Sequence, residues 1–475
     1  MIGLDLAEIA AAVQGRVVDA APDVEVTGAA FVDSRAVVVG GLYVAVAGER
    51  VDGHDYAVAA VEAGAAAALV ARPVGVPAVQ VSDPVTALGL LAQHVVARLP
   101  DLTVVGVTGS QGKTSTKDIL AQLLETLGPT VAPTGSFNNE IGVPLTALRA
   151  TTSTRWLVSE MGARGVGHIA YLASMVRPRV GVVLNVGVAH LGEFGDRDAI
   201  ATAKGELVES LPVDGVAVLN RDDPRVDAMR SRASAAVTTF GTADDADVRL
   251  SGVHLDDDGH AVFTLATAAE GPAEVTLSLV GEHQAWNAAA AAAAAMACGM
   301  PFDSVVTALG AVTARSRWRM EVTRTAGGLT VVNDAYNANP DSMRAALKSL
   351  AEIGHRAGGR TVAVLGPMLE LGEASRAEHD AIGRLAVRLD IDQLVVVGEG
   401  ARPLHLGALL EGSWDDESVC VPDAEAAIRL LETMVRPGDV VLVKASRAAG
   451  LETVAAALLD HEPAPRPSGT GGGDT

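Results

Sequence analysis

Residues Thr103 to Lys117 read TVVGVTGSQGKTSTK, and their reading decides the fold. The apolar run TVVGV reads as a strand, and STKDILAQLL opens a helical pattern. Between them Gly109 and Gly112 allow backbone N–H groups to turn toward an anion at the helix N-terminus. Lys113 adds a point charge for outer phosphates, and the Thr114 hydroxyl is a ligand for Mg²⁺. The spacing is compact. In G-x-x-x-x-G-K-[ST] the first glycine would fall on Val107, so the candidate loop is Gly109, Ser110, Gln111, Gly112, Lys113, Thr114 and Ser115. The plain alternative is an ordinary strand-to-helix turn; GKT set between strand and helix favours a nucleotide.

Working outward, the same grammar recurs in RWLVSEMGA, VGVVLNVGVAH and GVAVLNRDD, each a short apolar run followed by polar residues and a helical pattern. That is the signature of a mostly parallel α/β sheet, in which ligands sit beyond the carboxyl ends of the strands. Lys113, Glu160, Asn185, His190, Asn220 and Asp222 fall at those ends. Between Val237 and Leu279 alternating strands with Asp/Gly turns read as a small antiparallel insert, and Gln284 to Cys298 as an Ala-rich helix. A second α/β series begins near Leu329 with LTVVNDAYNANP, TVAVLGPMLELG, QLVVVGEG and DVVLVKASRAAG. Upstream, residues 1 to about 82 form a first unit with strands around Ala29–Val32 and Leu42–Ala47 and a helix through Tyr56–Ala63; a helix from about Pro84 to Arg98 follows.

Bulk properties limit the partners. With 36 basic and 58 acidic side chains the net charge is −22, which argues against nucleic acid and asks for a local cation or metal wherever an acidic substrate binds. Cys298 and Cys420 are the only cysteines, too few for a disulfide framework or thiolate metal site. The N-terminus lacks a basic n-region, and Ala288 to Ala295 is too short to span a bilayer, so the cytoplasm is the expected location.

Each further candidate has a bland counterpart. Glu160 is a strand-end carboxylate suited to Mg²⁺, or a cap. His190 is a metal ligand, a phosphate donor or a core histidine. Lys204, in IATAKGELVES, reads from spacing alone as a solvated lysine. Gln284 and Asn287, three apart on one helix, can face the same ligand. Arg317 and Arg319 flank Trp318, where an arginine can stabilise transferring phosphoryl charge or pair with an acid. Asp334, Asn337 and Asn339 precede Pro340 in a stretch that also suits turns and caps. Asp334 and Lys444 both lie at apolar strand ends of one domain, where a ligand site would be built.

Taken together the chain resembles the Mur ligase family. The resemblance rests on DSR (33–35), GERVDGHDY (48–56), VTGSQGKTSTK, SFNNEIGVPLTAL, SEMGARGVGHI, NVGVAHLGEFG, AKGELVE, GEHQAWNAAAA, WRMEV, NDAYNANPDSM, LGPMLELGE and VKASR, in order from near residue 30 to near residue 450. It implies an α/β protein of three domains: a small N-terminal α/β domain for the UDP-sugar (1–82), a central P-loop-type, mostly parallel sheet for ATP (83–314), and a C-terminal Rossmann-like α/β domain that brings the acceptor and closes on the nucleotide (315–461). A disordered tail (462–475) follows, by its composition. Within the family the match is to members that add D-alanyl-D-alanine to UDP-N-acetylmuramoyl-tripeptide through an acyl phosphate, with ATP and Mg²⁺. A monomer without nucleic-acid partner or membrane span is expected.

By the same resemblance Lys113 and Thr114 contact phosphate and Mg²⁺, and Glu160 and His190 belong to the metal site. Lys204 matches a lysine that in relatives is carbamylated to orient Mg²⁺. Asn287, Arg319 and Asp334 match ATP contacts, Ser34 and Arg35 the UDP-sugar site, and Asn138 and Asn139 the central substrate cleft. Asn337, Asn339 and Lys444 are carried as substrate residues of the last domain. Three positions depart from the pattern: Gln284 where Asn is frequent, Pro367 where an acid is usual, and Ala445 where glycine is common. The alternatives are a sibling ligase adding a diamino acid, a folate polyglutamate ligase, and a nucleotide-binding switch without ligase chemistry.

Overall fold

The computed structural model describes residues 1–48, 51–187, 191–413 and 415–461. The expected disordered tail at 462–475 therefore lies outside the described residues. The chain divides into two compact units. The first comprises Met1–Val186, Asp198–Arg249 and Ala288–Ala308; the second comprises Gly187–Arg197, Leu250–Asn287 and the chain from Leu309.

The first unit holds a small and a large sheet. The small sheet runs Arg16–Val18, Ala78–Gln80, Ala67–Val70, Leu42–Val44, Ala30–Phe31, parallel except at the first pair. Helix Pro84–Ala97 follows; Asp83 caps it by accepting the amides of Val85 and Thr86, and proline opens it without needing a donor. Gly89 faces helix His168–Val176, where a Cβ would lie 2.9 Å from Met175 Cε, the movable end of a flexible side chain.

In the large sheet strands Thr130–Val131, Trp156–Glu160, Thr103–Thr108, Val180–Val183, Val216–Asn220 and Ala236–Gly241 lie side by side, all parallel. Their Val-rich runs are buried on both faces, as parallel strands require. Register places Glu160 opposite Val107 and Val183 opposite Thr108, so the carboxyl ends are level. The chain winds to either side of Thr103–Thr108, and the end of that strand is the switch point where such sheets bind ligands. Strand Ala236–Gly241 corrects the sequence reading: it extends the parallel sheet, and the start of Val248–Leu255 also pairs parallel to it. The antiparallel meander comes later, with His260–Thr267 against Ala273–Val280. Thr238 and Thr239 make a parallel strand read as alternating.

The second unit is built on a sheet ordered Glu321–Arg324, Thr330–Asn333, Val440–Lys444, Thr361–Leu365, Gln393–Val397, Ser418–Val421. All pairs are parallel except the first. Side chains alternate across it. Val332, Ala363, Leu365, Val396 and Leu442 pack with helices Pro340–Ala357, Ser375–Arg388 and Arg402–Glu411; Val331, Val362, Val364, Val395 and Val443 pack with Ala424–Met434 and Glu452–Asp460. This doubly wound layering is Rossmann-like, as expected. Both outer strands escaped the sequence reading; for Glu321–Arg324 the reason is that EVTR carries polar residues in place of a buried apolar run. Among the described residues, no helix is long and apolar enough to cross a membrane.

Candidate active site

The phosphate loop leaves strand Thr103–Thr108 and enters helix Lys113–Glu125 at Gly112, whose φ of +80° suits glycine. Gly109 is required for closeness instead: a Cβ there would lie 2.8 Å from Leu184 Cβ. Asn185, at the end of the neighbouring strand, laces the loop. Its Oδ1 accepts the amides of Ser110 and Gln111 at 3.0 Å each, and its Nδ2 donates to Gln111 O at 3.2 Å. Lys113 curls over the loop and donates from Nζ to Gly109 O at 2.7 Å. The loop is thus a formed cradle with its cation poised over it.

Beside it a polar chain ends on a buried carboxylate. Thr114 Oγ1 donates to Ser136 Oγ at 3.4 Å, and Ser136 Oγ donates to Glu160 Oε1 at 2.7 Å. Asn138 Nδ2 donates to the same Oε1 at 2.8 Å. Glu160 is fully buried, yet its Oε2 has no hydrogen-bond partner. An orphaned, buried carboxylate oxygen next to a threonine hydroxyl and a phosphate loop fits a divalent cation. Among the described residues no three His, Cys, Asp or Glu side chains gather into a metal cage. His190 lies outside the described residues.

Lys204, on helix Arg197–Glu209, is buried rather than solvated. Burial, and then the charge of Lys113, hold its amine well below the usual lysine range. Two turns of sequence chemistry nearby are structural. Glu206 accepts the amides of Gly167 and Ala170 and caps helix His168–Val176. Asn139 Oδ1 accepts Gly142 N at 2.9 Å and caps helix Gly142–Ala147, so of the expected cleft pair only Asn138 reaches the carboxylate.

Ser34 and Arg35 follow strand Ala30–Phe31 of the small sheet. Arg35 is 89% exposed at its side chain and forks onto Asp33 at 2.8 and 2.9 Å, holding that carboxyl down at about 2.

In the second unit Asp334 and Lys444 meet as a buried pair, Oδ2 to Nζ at 2.5 Å. Lys444 also donates to Asn337 O at 2.9 Å, and Asp334 Oδ1 accepts Met320 N at 3.1 Å. Burial pushes the Lys444 amine down while Asp334 opposes the shift. Arg319 lies with its Cζ 4.1 Å over the Tyr336 ring. Asn339 serves as a cap: its side chain accepts Ser342 N and Ser342 Oγ accepts Asn339 N, a capping box for helix Pro340–Ala357. Gln284 and Asn287 bond each other, Asn287 Nδ2 to Gln284 Oε1 at 2.9 Å, so the Gln keeps the amide function expected there. Ala445 is accommodated without a left-handed turn, because Gly366 makes room: a Cβ on Gly366 would lie 2.7 Å from Ala445 Cβ. Pro367 O accepts Ser446 N at 3.0 Å, so this position fixes the turn through its backbone.

Two residues of the first-unit site were given no role from the sequence. Asn185 opens NVGVAHLGEFG and stands at a strand end beside the loop strand, which is its signal. Ser136 opens SFNNEIGVPLTAL, a stretch of the resemblance, but only folding brings its hydroxyl onto Glu160.

Three family models match the chain in succession. The Mur ligase family catalytic domain matches residues 30–97, the Mur ligase middle domain residues 107–295, and the Mur ligase glutamate ligase domain residues 318–447. The UDP-N-acetylmuramoyl-tripeptide–D-alanyl-D-alanine ligase of Mycobacterium tuberculosis is 50% identical, covering 97% of this chain and 98% of that one. Among solved structures, MurF from Acinetobacter baumannii superposes with a TM-score of 0.85 at 33% identity, covering 96% of this chain and 99% of its own. MurF ligase from Thermotoga maritima in complex with ADP gives 0.78 at 31% identity, covering 91% and 97%. With its phosphate loop, its level strand ends and identity across nearly its whole length, the chain belongs to the Mur ligase family.

Proposed function

We propose that this Mur ligase joins the amine of D-alanyl-D-alanine to the terminal carboxylate of UDP-N-acetylmuramoyl-tripeptide, converting ATP to ADP and phosphate. A carboxylate is a poor acyl donor, and phosphorylation supplies its leaving group. The tripeptide carboxylate attacks the γ-phosphorus, ADP departs, and the dipeptide amine then displaces phosphate from the acyl phosphate. Two anions must meet in the first step, so cationic groups at the loop are the main requirement.

In this reading Gly109, Ser110, Gln111 and Gly112 cradle the phosphates, Lys113 releases Gly109 O to take the γ-phosphate, and Ser115 supports the helix start. Thr114 and Glu160 would hold Mg²⁺, with Ser136 and Asn138 fixing Glu160 through the oxygen that is already paired. When bound, the ion offsets the charge of the phosphates and the attacking carboxylate. Lys204 has the property that carbamylation needs: a low amine pKa favours the neutral, nucleophilic form, and a carbamate would reverse its charge. Asn287, Arg319 and Asp334 are assigned to the nucleotide, Asn337, Asn339 and Lys444 to the acceptor side, and Ser34 and Arg35 to the UDP-sugar. The division into 1–82, 83–314 and 315–461 is retained as the functional one, in a monomer of the cytoplasm.

What carries the proposal is the pairing of the Gly109–Thr114 cradle with half-satisfied, buried Glu160, in a chain 50% identical to a ligase of that specificity. The test is phosphate release from ATP with both substrates. Release that fails to exceed the single-substrate controls, or that follows a diamino acid or glutamate in place of the dipeptide, overturns it.

A further inference from the structure

Arg319 is held by a backbone that its neighbours resist. Trp318 and Met320, on either side of it, have φ of 60° and 52°. That left-handed region suits glycine and strains a bulky side chain, and such residues persist only where their surroundings over-determine them. Here the surroundings are explicit. The Trp318 amide donates to Glu321 Oε2 at 3.1 Å, and its carbonyl accepts Tyr336 N at 3.3 Å. Met320 N donates to Asp334 Oδ1 at 3.1 Å. The Trp318 ring lies under the Arg447 guanidinium, with Cζ 4.3 Å from the centroid. Arg447 is anchored in turn on Glu452 at 2.5 Å.

These contacts close a ring. Lys444 bonds Asp334, Asp334 bonds Met320, Trp318 stacks with Arg447, and Arg447 stands three residues beyond Lys444 in the chain. Arg319 is the residue between the two strained ones, and its guanidinium lies over Tyr336. The backbone bonds and the Asp334–Lys444 pair already serve the site. The Trp318–Arg447 stack serves nothing in the reaction directly, yet it is the contact that holds a tryptophan where glycine would sit without strain.

We propose that Trp318 and Arg447 are a positioning pair that fixes the direction of Arg319. Neither touches a reacting atom. They act by making the left-handed turn at Trp318 stable, which sets where the Arg319 side chain leaves the backbone. The inference rests on the nucleotide role assigned to Arg319.

The experiment is steady-state phosphate release by the full chain with tripeptide and dipeptide saturating. Trp318→Ala deletes the ring but leaves a Cβ at the positive φ, so the turn loses its support; kcat is expected to fall about tenfold, with KM for ATP changed less than about threefold, as for a misplaced transition-state contact. Trp318→Phe keeps a face for Arg447 and is expected to hold kcat within about threefold of wild type. Arg447→Gln removes the other half of the stack at a half-exposed position and is expected to match Trp318→Ala; it carries the test if the alanine variant does not fold. Adding Trp318→Ala to Arg319→Ala is expected to lower turnover no further than Arg319→Ala alone, because the pair acts through that arginine. Wild-type turnover in Trp318→Ala or Arg447→Gln, or additive losses in the double variant, overturns the pair. Wild-type turnover in Arg319→Ala overturns the role of Arg319 itself, and the pair with it.

Discussion

Glu160→Gln is expected to make the metal-free protein more stable and the enzyme nearly inactive. Glu160 is 0% exposed, and one carboxylate oxygen accepts from Ser136 and Asn138 while the other has no partner. Leaving a buried polar atom unsatisfied costs about 1–3 kcal/mol, and more for a charged group. Gln keeps the paired oxygen and the volume but removes the charge. Its own amide N–H groups still lack a partner, so only part of the penalty is recovered, about 1–2 kcal/mol. In a unit of this size each kcal/mol moves the melting temperature by about 2–4 °C, giving a rise of roughly 2–8 °C. Scanning calorimetry in EDTA reads that shift. With excess Mg²⁺ and nucleotide the order is expected to reverse, because a ligand at a hundred times its Kd stabilises the wild type by about 2.7 kcal/mol and the variant by less. Phosphate release is expected to drop by about two to three orders of magnitude. A variant that melts at or below the wild type in EDTA refutes the reasoning, because Glu160 would then not be an uncompensated charge held ready for a cation.

Lys204→Met is expected to melt above wild type at pH 7 in the absence of bicarbonate, with the gap closing as pH approaches 10.5. Burial and Lys113 lower the folded pKa well below the usual lysine value of 10.5, so the native state binds fewer protons than the unfolded chain below that pH and wild-type stability rises with pH; a gap that does not change with pH in calorimetry counters this. Asp334→Ala strands Lys444, 2% exposed at its side chain, and is expected to destabilise the second unit by about 3–5 kcal/mol in urea unfolding, with Lys444→Met in the same chain restoring most of it. Failure of that second change to restore stability shows that the loss lies elsewhere. Asn185→Ala removes the side-chain acceptor of the Gln111 amide, while Ser110 N keeps the Asn185 carbonyl, and is expected to raise KM for ATP about fivefold, the equivalent of about 1 kcal/mol, with little effect on the KM of the dipeptide; equal changes in both constants contradict its role in the loop.

The fold was legible because its strands are buried on both sides. TVVGV, RWLVSE, VGVV and GVAVLN had to be Val-rich to lie inside a parallel sheet, and that necessity is written in consecutive residues. The loop was legible for a similar local reason: glycines, a lysine and a threonine between strand and helix act within one turn. Strand Glu321–Arg324 was not, because an edge needs no apolar run. Composition and local pattern alone therefore determined the α/β class, the order of its sheets along the chain, and a glycine-rich loop at Gly109–Thr114 between strand and helix.

Tertiary structure decided which polar residues share a site and which merely cap a helix. Asn138 and Asn139 are neighbours of one type, yet one braces Glu160 and the other closes a helix. Lys204 reads as a solvated lysine until folding buries it within the field of Lys113. Asp334 and Lys444, 110 residues apart, become one ion pair only because strands Thr330–Asn333 and Val440–Lys444 lie side by side. The physical reason is range. Propensity and periodicity act over a few residues, whereas desolvation and charge pairing depend on distance in space, which the chain sets only once the sheets have formed.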